Sequence, residues 1–415
     1  MSDFESNIKK IWRFTDSLLD SRNEYINTAM NDLGFCKYDC AREVDHNISQ
    51  LRLFPRIKKI IEGKKPIGNV AVMLPYDGSA WLNVVILSVW IAGNKVHVKF
   101  SSKGSEISHL TERLYKPIFG DEIRFSYEPG KKFLQNALND NHTNAIIVFG
   151  SDQNILSYKE TVMKSEKKLI FEGPGNDPFV VFDDAPLDDA IDDLIQAKYG
   201  YSGQTCTAPE RILVQKGIYN TFVNEFIGQT EEVDNETDPG KLKIVPVASD
   251  FVVEKLKKII KDAREKNGKI VYGGRIEGNM VQPTIITDAD PSMLGMKDEI
   301  FGPVSMVMPF SDEQDAYKIA IDNRYCLRAS IWGGRNAWKL SEHLKGERYA
   351  HEVDDFVFGK FGTTSYNKPR RESWRGALVT RPIGGYGFSG WIWETKAGKF
   401  VTKQGPKLLS LETTV

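Results

Sequence analysis

The stretch "GYSGQTCTAP" (200–209) places one cysteine, Cys206, between Thr205 and Thr207 in a glycine-bearing loop. A thiolate is a strong nucleophile, so a cysteine in such a loop can carry covalent catalysis. The same residue type also serves as a small apolar filler, and taken alone Cys206 reads as structural. His46, His97, His109, His142, His343 and His351 are scattered without metal spacing, and none is assignable as its base. Cys36 and Cys40 lie four apart on a predicted helix without the second ligand pair of a zinc site. Cys326, in "NRYCLRAS", reads as core. Glu172 ends the apolar run "KKLIFEG" (167–173), where partial burial would raise its pKa toward neutrality. The alternative is a strand-end carboxylate that meets solvent. Arg370, Arg371, Arg375 and Arg381 crowd into "NKPRRESWRGALVTRP" (367–382). They form either a solvated loop or an anion site that uses the guanidinium fork.

The chain that must position these groups has 415 residues, which predicts two domains or more. Its net charge of −1 supplies no global field for nucleic acid or an anionic membrane. Four cysteines make no disulfide framework, and "MSDFESNIKK" is too polar for a secretory signal. The most apolar run, "WLNVVILSVWIAG" (81–93), is too short to span a bilayer. The expectation is a cytoplasmic protein with reduced thiols.

The first sixty residues carry helical spacing. "NVAVML" (69–74), "KVHVKF" (95–100), "EIRFSY" (122–127), "NAIIVFG" (144–150) and "KKLIFEG" then read as strands separated by helices. That alternation predicts a parallel sheet that binds nucleotide beyond its carboxyl edge. No GxGxxG follows any strand; "VFGSDQN" (148–154) offers only the pair Gly150–Ser151. A second block opens with the strand "PFVVF" (178–182) and a helix for which Asp184 is the expected N-cap, with Pro186 early in its first turn. "RILVQ" (211–215) is a strand, "QTEEVDNETDPGK" (229–241) an acidic exposed loop, and "DFVVEKLKKIIKDAREKNGKIVYGG" (250–274) a helix running into a strand.

"FEGPGNDPFVVFDDAPLDDA" followed by "GYSGQTCTAPERILV" resembles the core of the aldehyde dehydrogenase superfamily. "KNGKIVYGG", "QPTIITD", "KDEIFGPVSMVMPF" and "RPIGGYGFSG" follow in that family's order, so the resemblance covers roughly residues 40–415. It implies an α/β fold with a Rossmann-type cofactor domain, an α/β catalytic domain and a C-terminal oligomerisation strand. The implied boundaries are 1–173, 174–383 and 384–415. It also implies oxidation of an aldehyde to an acid through a thioester on Cys206, with hydride passed to NADP or NAD. Glu172, 34 residues before the cysteine, matches the family's general base. Glu299 and Phe301 match the residues that hold the nicotinamide ribose and pack near the ring. Lys99 matches the contact to the adenine ribose, and Gly150 and Ser151 lie at the pyrophosphate. Three residues beyond Lys99 stands Ser102, where many NAD-using members carry a glutamate. Its absence removes repulsion toward a 2′-phosphate and favours NADP. Tyr76, Thr205, Thr207, Arg371 and Arg375 fall where the substrate would lie, and the arginines suggest an anionic aldehyde.

The pattern departs in places. The side-chain oxyanion donor, an asparagine in the family, is Asp77 in "LPYDGS"; the lysine after the Glu-x-Gly-Gly turn is Asn176; and a lysine of the next helix is missing. Asp77 is either ionised and turned away, which is the preferred reading, or kept protonated as a donor. A trimmed hairpin ahead of the first strand suggests a homodimer. A CoA-dependent acylating reductase and a catalytically silent binding protein are the competing readings.

Overall fold

A computed structural model describes residues 4–62, 65–344, 348–351, 354–357, 361–370, 389–396 and 398–403. Three helices lead: α1 (Phe4–Asp20), α2 (Arg22–Leu33) and α3 (Lys37–Leu51). Each carries an apolar face, and α1 buries Ile8, Ile11, Phe14 and Leu18 at three- and four-residue steps. A single helical turn follows as α4 (Lys58–Ile61).

The alternating block comes next: β1 (Asn69–Met73), α5 (Leu82–Ile91), β2 (Lys95–Lys99), α6 (Ser105–Phe119), β3 (Ile123–Phe125), α7 (Gly130–Asn139), β4 (Thr143–Phe149), α8 (Asp152–Leu156), α9 (Lys159–Ser165) and β5 (Lys168–Glu172). All ten residues of α5 are buried, which explains its lack of any polar face. These strands are parallel and stand in the order β5-β4-β1-β2-β3. The direction of winding reverses between β1 and β4, so the crevice beyond their carboxyl ends is a topological switch point, the preferred place for a nucleotide.

The second block comprises β6 (Asp177–Val181), α10 (Leu187–Tyr199), β7 (Pro209–Gln215), α11 (Tyr219–Asp234), α12 (Asp250–Glu265), β8 (Lys269–Tyr272), a short hairpin of β9 (Ile276–Glu277) and β10 (Met280–Val281), β11 (Thr284–Thr287), α13 (Leu294–Lys297), β12 (Val304–Phe310), α14 (Glu313–Ile321), β13 (Arg328–Trp332), α15 (Arg335–Leu344), a second hairpin of β14 (Arg348–His351) and β15 (Asp354–Val357), and β16 (Thr363–Tyr366). Its sheet runs β16-β13-β6-β7-β12-β11-β8, parallel except for β8 at one edge. Finally β17 (Gly390–Lys396) returns to the first sheet and pairs antiparallel with β5, and β18 (Lys399–Lys403) closes the edge.

Three local expectations change. Asp184 does not cap α10, which starts after Pro186; the Asp184 carboxylate instead accepts the Gly334 N–H at 2.7 Å. The acidic stretch after residue 229 is helical as far as Asp234, because Thr230 and Val233 face the core. Arg370 belongs to no exposed loop: it is 4% exposed and ion-paired with Asp177 at 3.3 Å. No helix among the described residues is long and apolar enough to cross a membrane.

Candidate active site

The loop between α10 and β7 presents Cys206. Tyr201, Ser202 and Gly203 all take positive φ (53°, 55° and 73°), so the chain turns sharply before the thiol. Glycine accepts that region freely; the other two need outside support. Asp39 accepts the Tyr201 N–H at 2.9 Å, and the Ser202 hydroxyl takes the Val245 N–H at 2.8 Å. A Cβ on Gly203 would fall 2.4 Å from the carbonyl oxygen of Gly302, and one on Gly175 would fall 2.1 Å from the carbonyl oxygen of Cys206. These glycines let three segments distant in sequence meet at Cys206: its own loop, the turn after Glu172 and the segment after Glu299.

Charge gathers at the same point. Burial pushes the Cys206 thiol well above its ordinary pKa, and the carboxylates of Asp77, Glu299, Asp177 and Glu172 push it further. The resting group is therefore the thiol, and reaction requires its proton to leave. Glu172, at the end of β5, is 2% exposed and so does not meet solvent. Glu299 accepts the Gly175 N–H at 3.2 Å, faces Lys255 at 3.9 Å, and is held toward its protonated form by burial. The next residues are fixed by Glu210, which takes the N–H groups of Ile300 at 2.7 Å and Phe301 at 2.8 Å. Phe301, at φ 58°, meets the Tyr76 ring edge-on at 6.1 Å. Asn176 also donates to Glu210, at 2.9 Å, so this departure from the family pattern has a structural use.

Asp77 lies on the wall of the cavity that also exposes Cys206. Its pKa is pushed up to about 7, first by burial and then by Glu43, while the Cys206 backbone N–H pulls it back. Asp77, Thr205, Cys206 and Thr207 line one cavity of about 190 Å³, together with Arg42 and Arg328. Arg371 and Arg375 lie outside the described residues.

The positions that the resemblance assigns to the cofactor sit on the carboxyl edge of the first sheet. Lys99 ends β2; it is 5% exposed and donates to the Phe100 carbonyl. Burial lowers its pKa. Ser102 is exposed in the following turn, with Lys103 beside it. Gly150, at φ 152°, donates to the Glu172 carbonyl at 3.1 Å. Ser151 N-caps α8 through the Asn154 N–H at 3.4 Å. The buried Tyr76 hydroxyl has no hydrogen-bond partner among the described residues. An exposed Ser102 between two lysines, a buried Lys99 and an orphaned hydroxyl fit a phosphorylated dinucleotide in this crevice.

Glu43, Arg42, Arg328 and Glu210 escaped the sequence reading. For Glu43 a signal exists: with Cys40, Val44 and Asn47 it occupies the buried stripe of α3, where a charge is out of place.

The family model described as the aldehyde dehydrogenase family matches residues 10–391. The chain belongs to that family. Succinate semialdehyde dehydrogenase of Acinetobacter baylyi is 36% identical over 194 residues, 45% of this chain and 40% of that protein. D-glyceraldehyde dehydrogenase (NADP(+)) of Thermoplasma acidophilum is 26% identical over 372 residues, 83% of this chain and 75% of the relative. The crystal structure of betaine aldehyde dehydrogenase from Staphylococcus aureus with NAD+ superposes with a TM-score of 0.80 at 21% identity, covering 97% of this chain and 82% of that one. The aldehyde dehydrogenase fold thus accounts for both sheets, although the match to the Acinetobacter protein spans less than half of that relative.

Proposed function

We propose that the protein oxidises an aldehyde to a carboxylic acid, with Cys206 as nucleophile and NADP as hydride acceptor. The observation that carries this reading is the meeting of four separate segments: Asp77 and Cys206 line one cavity, and Gly175, three residues after Glu172, abuts the Cys206 carbonyl and donates to Glu299 at 3.2 Å. The Cys206 thiol gives its proton to Glu172, which passes it to solvent, and the thiolate adds to the carbonyl carbon: a C–S bond forms as the C=O π bond breaks. The oxygen that gains charge lies against the Cys206 N–H and the Asp77 carboxyl, which donates while protonated. A bound NADP would supply the hydride acceptor, and loss of hydride from that carbon would leave the acyl group on Cys206 as a thioester. Glu172 then removes a proton from water; the water adds, the C–S bond breaks, and acid and thiol are released. Lys99, Ser102, Gly150 and Ser151 would hold the adenosine and pyrophosphate end, and Glu299 and Phe301 the nicotinamide end. Residues 1–173 then serve as the cofactor domain, 174–383 as the catalytic domain and 384–415 as the returning segment.

The substrate reading is an aldehyde with a second, anionic group. Arg42 and Arg328 on the cavity wall support it, as does the semialdehyde named for the Acinetobacter relative. The glyceraldehyde named for the Thermoplasma relative is the neutral alternative. A homodimer in a reducing cytoplasm completes the proposal. The test follows NADPH absorbance with succinate semialdehyde, glyceraldehyde and a neutral straight-chain aldehyde, with and without coenzyme A. Turnover that needs coenzyme A transfers the reading to acyl transfer. No turnover with any aldehyde leaves a binding protein.

A further inference from the structure

Glu43 lies on α3, outside every segment that carries a reacting group, yet its carboxylate reaches two of them. It is 5% exposed. Oε1 accepts the backbone N–H of Ser79 at 2.5 Å and that of Trp81 at 3.0 Å. Oε2 accepts the Ser79 hydroxyl at 3.1 Å and the Tyr201 hydroxyl at 3.2 Å. Ser79 and Trp81 follow Asp77 by two and four residues, and Tyr201 precedes Cys206 by five.

We infer that Glu43 is a positioning residue that fixes the Asp77 loop against the Cys206 loop, and so sets the geometry in which the oxyanion is received. The argument is one of connectivity. Asp77 follows β1 in the first sheet and Cys206 precedes β7 in the second, so neither sheet alone sets their separation. A carboxylate has acceptor sites enough for all four donors, and a buried one is stable only when they are filled. Asp39, one turn earlier on α3, pins the Tyr201 N–H at 2.9 Å, so both carboxylates hold the strained turn that precedes the thiol. Positions that shift by about an ångström cost of order a hundredfold in rate, which makes the tie matter to catalysis.

The inference rests on the reading that Cys206 and Asp77 act together, and the experiment separates the two. Glu43→Gln can keep every contact: its oxygen accepts both N–H groups, and its amide donates to the two hydroxyls. Glu43→Leu keeps the volume and removes the tie. Tyr201→Phe removes one link only. Two quantities are measured below each variant's melting temperature: kcat and KM with succinate semialdehyde and NADP, and the rate of Cys206 alkylation by iodoacetamide, followed on the peptide by mass spectrometry. The expected result is a kcat ten- to a hundredfold lower for Glu43→Leu, a KM for NADP within twofold of wild type, and rescue to within threefold by Glu43→Gln. Alkylation should change at least fivefold in Glu43→Leu and little in Glu43→Gln. Equal behaviour of the Leu and Gln variants overturns the inference. If the Leu variant does not fold, Tyr201→Phe decides: a kcat at least threefold lower supports the tie, and wild-type kcat overturns it. Should Cys206→Ala still turn over, the catalytic reading falls, and alkylation alone judges the tie.

Discussion

In the proposed mechanism the Asp77 carboxyl stands in for an amide donor. An ordinary aspartate titrates near 3.9, and desolvation pushes the half-buried Asp77 up to about 7. Its folded pKa is raised, so the stability it contributes is present below pH about 4 and lost as pH rises through about 7. Asp77→Asn removes that loss, and its melting temperature should draw ahead of wild type across this window in thermal scans. Activity follows the same group. A protonated Asp77 donates to the oxyanion, so kcat should fall as pH climbs through about 7, and Asp77→Asn should keep activity and flatten that decline. An Asn variant inactive at every pH would show instead that the carboxyl binds substrate. Cys206→Ala should abolish turnover while NADP titration by fluorescence stays unchanged; activity in that variant removes the thiol from the mechanism. Glu172→Gln should trap the acyl group on Cys206, visible by mass spectrometry as an added acyl mass. At the other end of the crevice, Ser102→Glu places a carboxylate against a 2′-phosphate and should shift the ratio of kcat/KM toward NAD. A wild type that already prefers NAD contradicts that reading.

The strands and helices were legible wherever burial follows a simple period. The five parallel strands before Gly173 fall within one or two residues of their apolar runs: the centres of β1, β4 and β5 are buried on both faces, while β2 alternates buried Val96 and Val98 with exposed Lys95 and His97. The misread elements depend on contacts that local pattern does not encode. Asp184 has the chemistry of an N-cap but is claimed by the Gly334 N–H, and the acidic end of α11 is kept helical by two inward residues. The proposed nucleophile, the proposed base and the Glu299 segment could be read only through family resemblance, since nothing local brings residues 172, 206 and 299 together. Glycines at the crossings do. Gly175→Ala would drive a methyl into the Cys206 carbonyl, 2.1 Å away, with backbone on both sides and little room to relax. Overpacking of that kind costs about 1–3 kcal/mol. The expected outcome is a lower urea midpoint together with a kcat reduced at least tenfold. A variant that loses stability but keeps kcat would show that the Glu172 turn and the Cys206 loop move as one body.

Across the whole molecule, the catalytic sheet is joined late in the chain, and Arg370 is where that joining reaches the site. Four residues beyond β16, the outermost strand of its sheet, its side chain turns inward. It ion-pairs with Asp177 at 3.3 Å, donates from Nε to the Ser330 hydroxyl at 2.7 Å, and reaches the carbonyl of Thr207 beside the nucleophile. Its backbone N–H donates to Asp193 on α10 at 2.6 Å. One side chain thus ties the start of β6, the middle of β13 and the Cys206 loop to a segment 193 residues from Asp177. Burial raises the Asp177 pKa and Arg370 draws it back, so the pair is held together against a large desolvation cost. Arg370→Met leaves Asp177 buried without its partner, a loss of about 3–5 kcal/mol when one member of a buried pair is removed. Asp177→Asn with Arg370→Met removes both charges and should recover most of that stability. The check is a double-mutant cycle by urea denaturation, with Cys206 alkylation measured on each variant in the folded range. If the pair only holds the edge strand, the double variant regains both stability and wild-type alkylation. If the Arg370 contact to the Thr207 carbonyl shapes the loop, stability returns and the alkylation rate does not. The second outcome is expected, because methionine restores the packing of the arginine stem but supplies no donor to that carbonyl.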